Sequence, residues 1–378
     1  MTYGPDLGQQ PIPGVHRTPD EQFATVDDFP FAPHYLDIDG LRMHCIDEGS
    51  GAAGTFILLH GEPVWSYMYR DAIQPLAAAG YRVIAPDNIG FGKSDKVIDV
   101  DWYTLDHHVL TLKTLVTRLD LRGITIVVND WGGPNGLIMA TEMPDRFDRL
   151  IILNTWLHHE GFGYTDALRQ WNVQSQSLDF TTGVFTGTPP PPARNYPNAV
   201  LAPFDSLDAT AGPLRWPWML PFAQPEAGNA RRQAAAYDAL ASWKKPAHVI
   251  FGDSDPVFTE QWGRRFAAHI PGATFTIIEG EGHRPLLWTG GRTDGRHRGG
   301  EPIRLAPVAL DSPEYSVLAA TSDGIATLNR PVPAVATATD NQIPGSEENS
   351  RNTQTPPAAE VLAIRTARYL CFATQAAE

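Results

Sequence analysis

Cysteine is scarce in this chain of 378 residues, which has only Cys45 and Cys371, far apart in sequence. Two distant cysteines exclude a disulfide-rich scaffold and a cysteine-based metal site. No apolar run approaches the roughly 18 residues of a membrane-spanning helix, and residues 1–30 lack the apolar stretch of a secretory signal. We therefore predict neither a transmembrane helix nor a signal peptide, and we expect a cytoplasmic protein.

Positive charge is also in deficit. The 29 Lys and Arg residues are outnumbered by 43 Asp and Glu residues, and the formal net charge is −14. This balance argues against a surface for nucleic acid or anionic lipid. Since 42% of residues are hydrophobic and 19% are charged, the composition is that of a globular protein with one large core or two domains.

Aromatic residues are absent between Tyr315 and Tyr369. The segment 286–378 is instead rich in Gly, Ala, Thr and Pro, a composition that buries too little apolar surface to offset chain entropy. Only residues 358–377 have a helical pattern. We therefore predict that 286–378 forms a mostly irregular or disordered tail.

Strand and helix patterns alternate between residues 34 and 283. A hairpin is predicted around Asp39-Gly40. Further strands are predicted at 55–59, 82–85, 124–128, 150–153, 247–251 and 274–278, and helices at 67–79, 105–119, 134–143, 230–243 and 260–269. This alternation indicates an α/β fold, with a mostly parallel sheet and helices on both faces.

The alternation is interrupted over residues 156–228, which contain a short helical pattern, a run of four prolines and several tryptophans. This segment is typical of a lid inserted over a sheet. We therefore predict a core built from 1–155 and 229–285, a lid domain of 156–228, and the tail of 286–378.

The stretch from Ile124 to Gly133 is the most informative part of the core. A β-branched run, typical of a strand buried on both faces, ends in a polar pair, a tryptophan and two glycines, and a helical pattern follows from Pro134. A strand, a sharp turn with one reactive side chain and a helix form a nucleophile elbow. Here the reactive group is the carboxylate of Asp130. Because Asp is a favoured helix N-cap, the alternative is that Asp130 only caps the helix.

Two polar residues after later strands complete a possible catalytic set. Asp255 and His283 follow Asp130 in the chain order nucleophile, acid, histidine, which is that of the α/β-hydrolase arrangement. Taken singly, Asp255 could form a turn before a proline, and His283 could be a surface loop residue. Asp253 competes for the role of the acid, but the spacing from Gly252 favours Asp255.

Several motifs together indicate a family. They are Arg17-Thr-Pro-Asp20, Pro30-Phe-Ala-Pro-His34, His60-Gly-Glu-Pro-Val-Trp-Ser-Tyr67, Ile84-Ala-Pro-Asp87, Gly90-Phe-Gly-Lys-Ser-Asp95 and Val127-Val-Asn-Asp-Trp-Gly-Gly133. With these motifs the chain resembles the haloalkane dehalogenases of the α/β-hydrolase superfamily, over roughly residues 15–283. The resemblance ends at His283, because the family continues with an acidic stretch and a final helix that residues 284–288 do not match.

The resemblance implies that a haloalkane is hydrolysed to a primary alcohol and halide without a cofactor. Asp130 would displace the halide and form an alkyl ester. His283, oriented by Asp255, would activate the water that hydrolyses this ester, while the backbone N–H groups of Glu62 and Trp131 would hold the oxyanion. The implied partners are the halogenated substrate, water and halide, and we expect a monomer.

Halide binding is assigned to tryptophan N–H groups. The resemblance implies that Trp131 supplies one of them. In the subfamily with His-Gly-Glu-Pro a lid tryptophan supplies the second, and Trp171 is the best match, with Trp216 and Trp218 as the other candidates. Neither pair of adjacent histidines, at 107–108 and 158–159, has the spacing of a zinc helix, and we expect no metal.

Two other functions stay open from the sequence. An epoxide hydrolase would use the same Asp130, Asp255 and His283, with lid tyrosines such as Tyr164 and Tyr196 to protonate the opening epoxide. An inactive hydrolase-fold binding protein is the second alternative, because the segment after the histidine is atypical.

Overall fold

The computed structural model describes residues 11–176 and 196–283, together with the backbone of 319–321 and 324–326. These last two segments pair as short antiparallel strands. The rest of the predicted tail, the helix expected at 358–377 and the run of four prolines lie outside the described residues.

An eight-stranded sheet forms the centre of the fold. Two short strands, β1 (Val15–His16) and β6 (Lys96–Val97), are not part of this sheet and pair with each other. The sheet contains β2 His34–Ile38, β3 Leu41–Glu48, β4 Thr55–Leu59, β5 Arg82–Pro86, β7 Ile124–Asn129, β8 Phe147–Leu153, β9 Ala247–Gly252 and β10 Thr274–Ile278. Their order is β10-β9-β8-β7-β4-β5-β3-β2.

Most neighbouring strands of the sheet run parallel. Only β2 with β3 and β3 with β5 pair antiparallel, whereas the five pairs from β5 to β10 are parallel. The carboxyl ends of β4, β7, β8, β9 and β10 therefore meet at one edge of the sheet, which is where such folds hold their ligands.

Eight α-helices are described. They are α1 Arg70–Ala78, α2 Leu105–Arg118, α3 Gly132–Glu142, α4 Asp166–Gln174, α5 Tyr196–Leu201, α6 Ala211–Trp218, α7 Ala230–Leu240 and α8 Glu260–His269. Helices α4, α5 and α6 lie between β8 and α7, in the segment predicted to be a lid. None of the described helices is long and apolar enough to span a membrane.

Both faces of the sheet are covered by hydrophobic cores. In β7, Ile126 and Val128 belong to one core, which also contains residues of α2 and α3, whereas Val127 belongs to a second core with residues of α1. Because side chains alternate along a strand, a run of consecutive β-branched residues serves both cores at once. The predicted α/β fold is confirmed.

Among the element boundaries that differ from the predictions, two lie close to the site. The helix expected from Tyr67 begins as a 3-10 turn over Ser66–Tyr69 and becomes α1 only at Arg70. Helix α3 begins at Gly132, two residues before Pro134. The earlier start of α3 matters for the site, since it places Asp130 directly before the first turn of the helix.

Candidate active site

The turn after β7 holds Asp130 at the carboxyl edge of the sheet. Its φ of 52° lies in the left-handed region, a conformation that is uncommon for non-glycine residues. The two glycines that follow allow close packing: a Cβ on Gly132 would lie 2.4 Å from the carbonyl oxygen of Leu59, and one on Gly133 would lie 1.8 Å from Thr155 Oγ1. The turn therefore needs glycine at both positions to sit this deeply in the sheet.

The carboxylate of Asp130 lies beside backbone N–H groups. Its Oδ1 accepts a hydrogen bond from the N–H of Glu62 at 2.7 Å, and the N–H of Trp131 helps to lower the pKa of the carboxylate. Gly61 permits this approach, because a Cβ there would lie 2.3 Å from Asp130 Oδ1. Of the two N–H groups predicted to hold an oxyanion, that of Glu62 therefore already donates to Asp130.

His283 stands between the two aspartates predicted from the chain order. Its Nε2 is 3.4 Å from Asp130 Oδ2, and its Nδ1 is 3.0 Å from Asp255 Oδ2. Asp255 is buried, and its Oδ1 accepts a further bond from the N–H of Val257 at 2.7 Å. The structure thus joins the three predicted residues in one chain of contacts.

The competing acid, Asp253, has a different role. Its Oδ1 accepts hydrogen bonds from the N–H of Gly280 at 2.8 Å and from the hydroxyl of Ser254. Asp253 therefore closes the turn between the ends of β9 and β10, and it is Asp255 that contacts His283.

Asn154 was missed by the sequence analysis, although it connects several parts of the site. It is fully buried directly after β8, and its Nδ2 donates to Asp255 Oδ2 at 2.8 Å. Its Oδ1 accepts from the N–H of Gly252, and its carbonyl oxygen accepts from the N–H of Asp130. Its position at the end of a predicted strand, where the other site residues lie, was the signal that could have identified it.

The charges of the site favour an ionised carboxylate beside a protonated imidazole. Burial alone would lower the pKa of His283, but the charges of Asp255 and Asp130 and the hydrogen bonds to both raise that pKa to about 9. Burial alone would raise the pKa of Asp130, but the hydrogen bond and charge of His283 and the backbone N–H groups lower it below the ordinary value. At neutral pH, Asp130 is therefore an anion that could attack an electrophilic carbon.

The loop that carries Glu62 is fixed by a buried histidine. Burial lowers the pKa of His60, which keeps the ring neutral. Its Nδ1 is 2.8 Å from the carbonyl oxygen of Gly61, and its Nε2 accepts a hydrogen bond from the N–H of Asn88 at 3.0 Å. Both ring nitrogens of His60 are therefore engaged in holding the loop.

Comparison with known proteins identifies the family. Residues 54–289 match the family model described as alpha/beta hydrolase fold. A haloalkane dehalogenase from Psychrobacter cryohalolentis is 39% identical over 280 residues, which are 71% of this chain and 92% of that protein. One from Mycobacterium marinum is 40% identical over 271 residues, 68% of this chain and 89% of that protein. The chain belongs to the haloalkane dehalogenase family.

A solved structure agrees with this assignment. The haloalkane dehalogenase DpaA from Paraglaciecola agarilytica, whose structure is described as tetrameric, matches with a TM-score of 0.65 and 32% sequence identity. The match covers 72% of this chain and 94% of that chain. The resemblance seen in the sequence motifs is confirmed.

In this member of the haloalkane dehalogenase family, the indole N–H groups of the tryptophans near the site differ in their hydrogen-bond partners. Trp131 lies at the centre, 4.9 Å from the ring of Trp156 and 5.7 Å from that of Trp216. Its indole N–H has no acceptor among the described residues. The N–H of Trp216 is already committed, because it donates to Nε2 of the buried His108 at 2.6 Å.

The indole N–H groups of Trp218 and Trp171, the other two tryptophans predicted as candidates for halide binding, differ in their partners. The N–H of Trp218 is buried and has no acceptor among the described residues. The N–H of Trp171, on α4, donates to Oε2 of Glu62 at 3.0 Å. The structure thus places Trp171 at the loop that carries an oxyanion donor, and its assignment as a halide donor stays a prediction.

The tyrosines expected of an epoxide hydrolase are only partly described. The hydroxyl of Tyr164 is buried and hydrogen-bonds to Nδ1 of His158 at 2.9 Å. The side chain of Tyr196 lies outside the described residues. Within 11–176 and 196–283, no cluster of three or more His, Cys, Asp or Glu residues could hold a metal ion.

Proposed function

We propose that this protein hydrolyses haloalkanes to a primary alcohol and halide, with water as the second substrate and without a cofactor. One observation carries the proposal: an ionised carboxylate, Asp130, stands at the elbow in contact with His283, which in turn contacts Asp255. Membership in the haloalkane dehalogenase family supports the same reaction.

In the first step, an oxygen of Asp130 attacks the carbon that bears the halogen. The new carbon–oxygen bond makes an alkyl ester, and the electron pair of the carbon–halogen bond leaves with the halide. Catalysis of this step needs donors fixed in advance where the negative charge develops. We assign this role to the indole N–H groups of Trp131 and Trp171.

Ester formation then changes the state of His283. In the free enzyme, the charge of Asp130 and its hydrogen bond to His283 both raise the pKa of the imidazole. The ester carries no charge, so this contribution disappears and the pKa of His283 falls. His283 can then release its proton to solvent and become the base that the second step requires.

In the second step, neutral His283 takes a proton from a water molecule as the water attacks the carbonyl carbon of the ester. The N–H group of Glu62, which already donates to Asp130, and the N–H group of Trp131 stabilise the oxyanion that forms. The loss of one such donor typically lowers the rate by about 10²–10³-fold. Cleavage of the ester releases the alcohol and restores both the Asp130 carboxylate and the protonated His283.

The domain division belongs to the proposal as well. Residues 156–228 would form a lid, because Trp171 and Trp216 from this segment contact groups at the carboxyl edge of the sheet. The tail of 286–378, a cytoplasmic location and a monomeric state are kept as predictions from the sequence. Size-exclusion chromatography with light scattering measures the monomeric state directly.

The test is to incubate the protein with 1,2-dibromoethane and to follow bromide release. A His283→Ala variant should release about one equivalent of bromide and then stop, because the ester forms but is not hydrolysed. Mass spectrometry of its peptides should show the alkyl group on Asp130, and Asp130→Asn should show no adduct. An adduct on another residue would overturn the assignment of the nucleophile.

The same experiment separates the two alternatives. Opening of an epoxide without bromide release would favour an epoxide hydrolase. A folded protein with neither activity would favour a binding protein. The engagement of Tyr164 with His158 argues against the first, since an epoxide hydrolase needs its lid tyrosines to face the substrate oxygen.

A further inference from the structure

The side chain of Glu62 links the lid to the oxyanion loop. Its Oε2 accepts a hydrogen bond from the indole N–H of Trp171 at 3.0 Å, while the backbone N–H of the same residue donates to Asp130. Glu62 is 5% exposed, so this carboxylate stands inside the site rather than in solvent. One residue therefore contacts both the nucleophile and the predicted lid donor.

This arrangement conflicts with halide binding. The N–H that Trp171 would offer to a halide is the one that Glu62 accepts in the free enzyme. A halide that took this N–H at an ordinary hydrogen-bond distance would stand within about 6–7 Å of the Glu62 carboxylate. An ionised Glu62 carboxylate and a halide are both anions, so they would compete for one donor and also repel each other.

We propose that the Glu62 carboxylate is a positioning residue that holds the Trp171 indole when no halide is present and weakens binding of the halide product. The inference rests on the proposed function, because it takes Trp171 as a halide donor. It assigns the side chain a role separate from that of the Glu62 backbone. In the free enzyme the hydrogen bond fixes the lid tryptophan near its working position, and after the reaction the same carboxylate recaptures the N–H and promotes halide release.

The expected size of the effect follows from the charges. Repulsion between two like charges about 6 Å apart in a medium of effective dielectric constant about 20 corresponds to roughly a hundredfold change in a binding constant. Solvent screening reduces this value, so we expect Glu62→Gln to bind bromide about 10–100-fold more tightly than the wild type. The substitution keeps the backbone N–H and the size of the side chain.

The experiment is a bromide titration of the full-length protein followed by intrinsic tryptophan fluorescence, with no substrate present. The dissociation constant of bromide should fall in Glu62→Gln, and the inhibition constant of bromide in the dehalogenation assay should fall by the same factor. The matched control is Glu160→Gln, which removes an equal charge from an exposed position on the lid segment and should leave bromide affinity unchanged. A merely structural role of Glu62 would not tighten anion binding.

Two more variants keep the test decisive. Glu62→Asp retains the charge but shortens the side chain, so its affinity for bromide should lie between those of the wild type and Glu62→Gln. It also serves as the test if circular dichroism shows that Glu62→Gln does not fold. In a Trp171→Phe background, Glu62→Gln should change bromide affinity several-fold less than in the wild type. Equal effects in both backgrounds would show that competition for the N–H is absent.

The outcomes also separate this inference from the proposed function. If the wild type releases bromide from 1,2-dibromoethane and binds bromide, but Glu62→Gln binds it with unchanged or weaker affinity, the inference is wrong and the function stands. If the wild type neither dehalogenates nor binds bromide, the proposed function fails, and the inference fails with it.

Discussion

The charge at position 130 should control the protonation of His283, and the substitution Asp130→Asn tests this directly. The asparagine has nearly the shape of the aspartate but lacks its charge, so it imitates the ester that forms during the reaction. We expect the pKa of His283 to fall from about 9 when the aspartate is replaced.

The structure bounds the size of this fall. The closest charged atoms, Asp130 Oδ2 and His283 Nε2, are 3.4 Å apart. At this distance the Coulomb energy is about 5 kcal/mol with an effective dielectric constant of about 20, and about 1 kcal/mol with that of water. Because one pKa unit equals about 1.4 kcal/mol and both side chains keep some contact with solvent, we expect a fall of about 1–3 units.

The assay is an NMR titration of protein with labelled histidines, in which His283 is assigned by comparison with a His283→Gln variant. Asp253→Asn is the control, since Asp253 bonds to Gly280 and Ser254 instead of His283. The pH dependence of ester hydrolysis in single turnovers should report the lowered pKa as well, with the hydrolysis rate decreasing as the pH falls through it. A pKa that stays near 9 in Asp130→Asn would refute the idea that ester formation itself generates the base.

Two further predictions concern the other members of the site. Asp255→Asn removes the acceptor that orients His283 and should lower the rate of ester hydrolysis by about 10⁴-fold. Rapid-quench experiments on this variant should still show a first burst of bromide. Loss of the burst would contradict a role of Asp255 confined to the second step. Trp131→Phe should weaken bromide binding at least about tenfold. Trp216→Phe should leave bromide binding nearly unchanged, but it should lower the free energy of unfolding in urea by about 1–3 kcal/mol, because His108 loses its buried donor. Equal effects of the two tryptophan substitutions on bromide binding would contradict their different assignments.

The architecture was predictable because local patterns decide it. The runs that form β7 and β9 are buried along their whole length, and β4 is buried after its first residue, which is the pattern of strands in a parallel sheet. Asp130, Asp255 and His283 each follow a strand, and the parallel sheet brings those strand ends together. Residues as far apart in sequence as Asp130 and His283 are therefore brought together by the topology of the sheet.

Contacts that depend on long-range packing could not be predicted. The bond between Trp171 and Glu62 joins residues 109 positions apart, and that between Trp216 and His108 spans 108. No spacing rule relates such pairs, because the path of the lid over the sheet determines which side chains meet. The same reason explains why the sequence, which favoured Trp171, could not exclude Trp216 and Trp218.

Asn154 ties the two carboxylates of the site to one rigid point at the end of β8. Its backbone oxygen holds the N–H of Asp130 and its side chain holds Asp255, so the spacing between nucleophile and acid is set within the sheet and owes nothing to helices α4–α6. The groups proposed to make and break the ester therefore lie in the core, whereas Trp171, proposed to hold the leaving halide together with Trp131, lies in the lid segment. Replacement of residues 156–228 by the lid of a different relative should therefore change which substrates are accepted and preserve the ester chemistry.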